Sequence, residues 1–150
     1  MPEIKTEIII NAPREVVFDL ARSIDFHKES TKHTQEEAIA GKTSGLLELG
    51  ESVTWRAKHF GLWLELESKI TELDSPNYFI DEMQKGSFKS FRHEHIFEDK
   101  DEQTLMIDRF NYKSPYGLIG KLVDGLFLKR YMSNFLLKRN RLIKEHCEKK

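Results

Sequence analysis

Cysteine is nearly absent. The 150 residues hold one, Cys147, close to the C-terminal end, so neither an intrachain disulfide framework nor a cysteine-based zinc site can form, and a reducing compartment fits. Charge of one sign is lacking too. The 24 Lys and Arg stand against 25 Asp and Glu, a formal net charge of -1, which gives no basic surface for a polyphosphate and argues against a nucleic-acid partner. The opening MPEIKTEIII has neither the basic flank nor the small-residue cleavage site of a secretory signal. The longest apolar-rich stretch, 116–137, is interrupted by Lys121, Asp124, Lys129 and Arg130, short of the roughly 20 apolar residues that a spanning helix needs. A soluble cytoplasmic protein without stable membrane insertion is expected. No glycine-rich phosphate loop and no serine in a nucleophile elbow occur, and Cys147, expected at a frayed helix end, is a poor nucleophile.

What the chain does have is 39% hydrophobic and 33% charged residues, with ten Phe, the composition of one globular domain spanning 1–150. At this length a core forms without staples, burying roughly 70% of the unfolded surface. The element order predicted is strand, two short helices, a run of strands, then one long helix, which is α+β. The β-branched segment Glu3 to Ile10 ends at Asn11-Ala12-Pro13, where Asn11 is a candidate helix cap. Val16, Val17, Leu20 and Ala21 follow at helical spacing, and a second short helix or turn begins at Ser23.

From Leu46 onward the period becomes two, and faces can be assigned. Val53, Trp55, Ala57 and His59 share one face of a strand over 52–60, and Leu62, Leu64, Leu66 and Ile70 share one face of the next, the two joined as a hairpin at Gly61. After the Asp74-Ser75-Pro76 turn, Phe79, Asp81 and Met83 lie together; Phe91, His93, His95 and Phe97 follow on the strand over 88–97. A four-residue loop at 99–102 would set His93 opposite Asp108 and His95 opposite Met106. From Tyr116 to about Cys147 a long helix is predicted, with Ile119, Val123, Phe127, Tyr131, Phe135 and Leu142 near one stripe, and with Lys138, Arg139, Arg141 and Lys144 on a solvated face.

An antiparallel sheet of six or seven strands with one apolar face, followed by a long amphipathic helix, is satisfied if the sheet curves around the helix, and such a pair often leaves a cavity. The run Ile9 to Phe18, IINAPREVVF, with the segments Gly50 to Gly61, Phe79 to Met83 and Phe91 to Phe97, resembles the START-like or SRPBCC superfamily, in particular its bacterial polyketide cyclase/dehydrase-like and cell-division-associated branch. The resemblance covers nearly the whole chain. It implies the helix-grip fold, shared with the major birch pollen allergen, and a cavity for a hydrophobic ligand; it does not fix the chemistry, because members include lipid carriers, cyclases and receptors.

Five ionisable residues, His59, Asp81, His93, His95 and Asp108, fall on the inner face and need partners there. A His beside a carboxylate can act as a general base, so His93 with Asp108, or secondly His59 with Asp81, are the candidate catalytic pairs if the protein is a cyclase- or dehydratase-like enzyme. A structural pairing explains the same residues. His93-x-His95 with Asp81 or Asp108 also has metal-ligand spacing, but neither a metal nor another cofactor is expected. The candidate ligand-binding residues are Trp55, His59, Leu64 and Leu66 on the first hairpin, and Phe79, Asp81, Met83, Phe91, His93 and His95 on the two strands after it. Met106, Asp108 and Phe110 on the last strand and Ile119, Val123 and Phe127 on the helix complete the set. The leading expectation is a non-enzymatic protein binding a small hydrophobic or amphipathic molecule. A protein-interaction module is the third reading, with exposed Trp63 and the 116–118 segment as its surface.

Overall fold

A computed structural model describes residues 3–59, 61–86, 88–113 and 127–149. Strand β1 (Glu3–Ile10) alternates, with Ile4, Thr6 and Ile10 buried and Glu3, Lys5 and Glu7 exposed. Helix α1 (Arg14–Ala21) follows with Pro13 in the capping position, not Asn11. The Asn11 backbone N–H instead donates to Glu148 Oε2 at 2.7 Å, tying the end of β1 to the last helix. Val17 and Phe18 form the buried face of α1, whereas Val16, expected there, is exposed. Helix α2 (Ile24–Ser30) opens on a side-chain cap: Ser23 Oγ accepts the Phe26 N–H at 3.1 Å. Ser23→Ala is expected to lower stability by about 1 kcal/mol, read from the urea midpoint.

Seven antiparallel strands form one curved sheet in the order β1-β7-β6-β5-β4-β3-β2. The edge strand β2 (Glu37–Gly41) was not anticipated, because Glu-Ala-Ile-Ala-Gly is too short and too small to show a period. β3 (Ser52–His59) and β4 (Leu62–Asp74) pair as the expected hairpin, Gly61 supplying φ of +76° in the turn. β4 runs past the expected end, with register breaks at Glu67/Ser68 and Ile70/Glu72 against β5 (Tyr78–Lys85). Such bulges bend a strand and raise its twist, so β4 folds the sheet over its concave side.

β6 (Ser90–Lys100) and β7 (Gln103–Lys113) depart from expectation in register. Their turn is the two residues Asp101 and Glu102, with φ of 51° and 74°, not a four-residue loop. Two left-handed residues make the tight turn that matches strand twist. His95, not His93, therefore faces Asp108, His93 faces Phe110, and Met106 faces Phe97. A slip of two residues leaves every side chain on its assigned face.

Helix α3 (Lys129–Glu148) lies in the grip of the sheet; the expected helical residues 116–126, with Ile119, Val123 and the 116–118 patch, lie outside the described residues. Its buried seam is Leu136, Arg139, Asn140 and Ile143, rotated from the expected stripe of Phe127, Tyr131, Phe135 and Leu142. Two polar residues in the middle of that seam hide it from a hydropathy pattern. Beneath α1 and the C-terminal half of α3, Phe18 packs edge-on against Phe79 and Phe97 at 5.5 and 5.2 Å. Cys147 is not frayed; it packs against this core, and burial pushes its thiol up to about 11. Among the described residues no helix is long and apolar enough to cross a membrane.

Candidate functional site

Between the concave sheet and α3 lies a cavity of about 510 Å³. Its walls are apolar because the inward positions of the alternating strands are: Val53, Trp55 and Ala57 from β3, Leu64 and Leu66 from β4, Phe91 from β6, with Phe135 and Leu136 from the helix opposite. Polar side chains interrupt the wall, among them Glu36, His59 and Glu65, and a linked group formed by Asp81, His93, His95 and Arg139.

The linked four belong to one buried network centred on Asp108, which is fully buried on β7. His93 Nε2 lies 2.8 Å from Asp108 Oδ1, reaching diagonally across the ladder. On the other carboxylate oxygen, Asn140 Nδ2 donates at 3.0 Å and Thr6 Oγ1 at 3.3 Å. Arg139 Nη1 donates to Asp108 Oδ1 at 3.4 Å, and Arg139 Nη2 meets His95 Nδ1 at the same distance. His95 Nε2 in turn lies 2.7 Å from Asp81 Oδ2, and Ser68 Oγ donates to Asp81 Oδ1 at 3.3 Å. A guanidinium only donates, so His95 Nδ1 is an acceptor and its proton sits on Nε2, toward Asp81. The rings themselves stack: His93 on His95 at 3.7 Å and His95 on Phe79 at 4.1 Å.

The titration behaviour follows from these contacts. Burial alone would raise Asp108, but the His93 hydrogen bond and the Arg139 charge outweigh it and hold the carboxyl below its ordinary value. Asp81 is lowered by the same balance, with the His95 hydrogen bond as its main support against burial. Burial, with His93 and Arg139 beside it, pushes His95 down to about 4, against the opposing pull of Asp81. It is therefore a neutral imidazole at neutral pH.

Could the same groups hold a metal? Ligand atoms of Asp81, His93 and His95 lie within 4.8 Å of one another. However, the two imidazole planes are only 26° apart in a face-to-face stack, so their in-plane lone pairs do not converge, and Arg139 sits on the far nitrogen of His95. As arranged, the trio fits a closed hydrogen-bonded network better than an ion.

The sequence-derived set divides on this geometry. Trp55, His59, Leu64, Leu66, Phe79, Asp81, Phe91, His93, His95 and Phe110 line the cavity. Asp108 stands behind His93 as its partner, at 0% exposure. Met106 packs in the core with Phe18 and Phe97 instead, and Met83 packs against the cluster holding Phe91 and Leu136. Phe127 is 49% exposed and stacks on Tyr131. His59 does not pair with Asp81: its Nδ1 lies 2.6 Å from Tyr131 Oη, linking β3 to α3, and burial lowers its value. Arg139, assigned by sequence to a solvated face, is 6% exposed at the centre of the network. Its position three residues from Leu136 and four from Ile143 was the available signal, together with the need of two inward carboxylates for a cation.

No family model and no curated protein matches the sequence. Solved structures do match along its length. Protein TTHA0849 from Thermus thermophilus is 21% identical, with 96% of this chain and 95% of that one covered and a TM-score of 0.78. The KanY protein is 11% identical over 99% of each chain, with a TM-score of 0.74. Ginseng major latex-like protein 151 from Panax ginseng is 18% identical over 97% of each, at 0.70. At such identities the likeness is one of architecture, and with the strand order and the gripped helix it establishes that this chain has the helix-grip fold.

Proposed function

We propose that the protein binds a small hydrophobic or amphipathic molecule in the cavity between the sheet and α3, in the cytoplasmic setting that its lone thiol suits. The observation that carries this reading is a space of about 510 Å³ with mostly apolar walls and a few polar groups, among them the linked Asp81, His93, His95 and Arg139. That is the usual size and make-up of a small-molecule site. The membership of a START-like superfamily suggested by sequence points the same way, as does the fold.

Ala57, on the β3 wall, gives the test. It is 4% exposed and faces the cavity, so Ala57→Trp places an indole in the space a ligand would use. Binding of Nile red, followed by fluorescence, is expected to weaken about 100-fold or more, with the urea midpoint little changed because a void is being filled. Unchanged dye binding would sink the proposal.

A second reading, a cyclase- or dehydratase-like enzyme, draws on one observation: His93 shares a hydrogen bond with buried Asp108 while its ring lines the cavity. Under that reading His93→Gln abolishes turnover; under the carrier reading there is no turnover to lose.

A further inference from the structure

Resting on that cavity reading, we infer that the part of its wall formed by Asp81 and His93 selects amphiphiles with an uncharged, hydrogen-bond-donating head, an alcohol or a phenol, and rejects carboxylates, with Asp81 as the specificity-determining residue. The network fixes which atoms are left for a ligand. Asp108 stays ionised, so His93 Nε2 carries the proton of their bond. Its Nδ1 has no hydrogen-bond partner among the described residues, and the ring lines the cavity. On Asp81, Oδ2 takes the His95 proton, while Oδ1 has only the long bond from Ser68 at 3.3 Å. Two groups on the wall, the His93 ring and the Asp81 carboxylate, can therefore accept from a hydroxyl.

Charge decides against an anion. Asp81 and Asp108 contribute two negative charges and Arg139 one positive, and His95 is neutral. With His93 neutral the sum is minus one; an imidazolium there brings it to zero and not above. Arg139 is no free anchor, since its Nη1 bonds Asp108 and Asn140 and its Nη2 meets His95. Among the described residues the other Lys or Arg on the wall, Arg22, is held by Asp19 and Glu48. A carboxylate entering here would leave water without an unengaged counter-charge, next to the Asp81 carboxylate.

The test compares two amphiphiles with one tail, 1-dodecanol and dodecanoate, as displacers of Nile red at neutral pH. The wild-type protein is expected to prefer the alcohol by about tenfold or more. An apolar cavity would show some preference by desolvation alone, so the discriminating step is Asp81→Asn, whose amide oxygen can still accept from His95. There the preference is expected to shrink about tenfold, by a gain for dodecanoate. Should the amide variant fail to fold, Asp81→Ser gives the same comparison. Tighter wild-type binding of dodecanoate, or an unchanged preference without the Asp81 charge, would overturn the inference. So would displacement by neither probe while the dye still binds, which leaves the cavity reading standing; failure of the dye itself to bind brings down both.

Discussion

Replacing Arg139 by leucine is expected to cost about 3–5 kcal/mol of folding stability, a loss the urea unfolding curve reads directly. The reason lies in what the leucine would leave behind. Asp108 is fully buried and ionised, and among the described residues the Arg139 guanidinium is the permanent positive charge paired with it, 3.4 Å away. Arg139 also donates to Asn140 Oδ1 at 3.1 Å, orienting the amide that bonds the other carboxylate oxygen. Removing one side chain therefore strands a charge and loosens one of its remaining donors, the Asn140 amide. Adding Asp108→Asn to Arg139→Leu is expected to restore part of the loss, because the stranded charge goes with it. A cost below about 1 kcal/mol for Arg139→Leu, within the range of a surface pair, would mean that His93, Asn140 and Thr6 suffice.

Acid should destabilise the protein before the buried carboxylates Asp81 and Asp108 lose their support. His95 has an ordinary value of 6.5 and is pushed down to about 4 in the fold. Between those limits the unfolded chain takes up a proton that the folded chain refuses, so stability is intact above 6.5 and falls as pH drops toward 4. The expected loss from this one residue is about 3 kcal/mol. His33 and His59, also lowered by burial, act in the same direction. Asp81 and Asp108 enter later: their support is present above the ordinary 3.8 and is lost below it. In His95→Gln, which keeps an N–H for Asp81, the fall between neutral pH and 4 should shrink by the His95 share. Stability that stays flat over that range in the wild-type protein would contradict the burial and tautomer assigned to His95.

Much of this was legible in the chain, and the failures share a cause. Strand faces followed from alternation, so His93, His95, Asp81 and Asp108 reached the same interior even though the register was wrong by two residues. The register itself depended on Asp101 and Glu102 adopting left-handed backbone, which neither residue type favours strongly enough to be read from sequence. Arg139 and Asn140 were missed because a hydropathy stripe treats a polar residue as outward, whereas both bond inward to one carboxylate, Asp108, more than 30 positions earlier in the chain. The edge strand β2 has too few large residues to display a period. Long-range polar pairing and short edges are what a local pattern carries least.

Methyl NMR locates a bound molecule without assuming what it is. In protein with labelled leucine, isoleucine and valine methyl groups, titration with 1-dodecanol should shift Leu64, Leu66 and Val53 on the cavity wall, saturating at one molecule per chain. The exposed methyls of Ile9, Val16 and Leu137 report the outer surface and should stay in place. Shifts confined to those outer residues, or none on the wall at saturation, would contradict a ligand site between the sheet and α3.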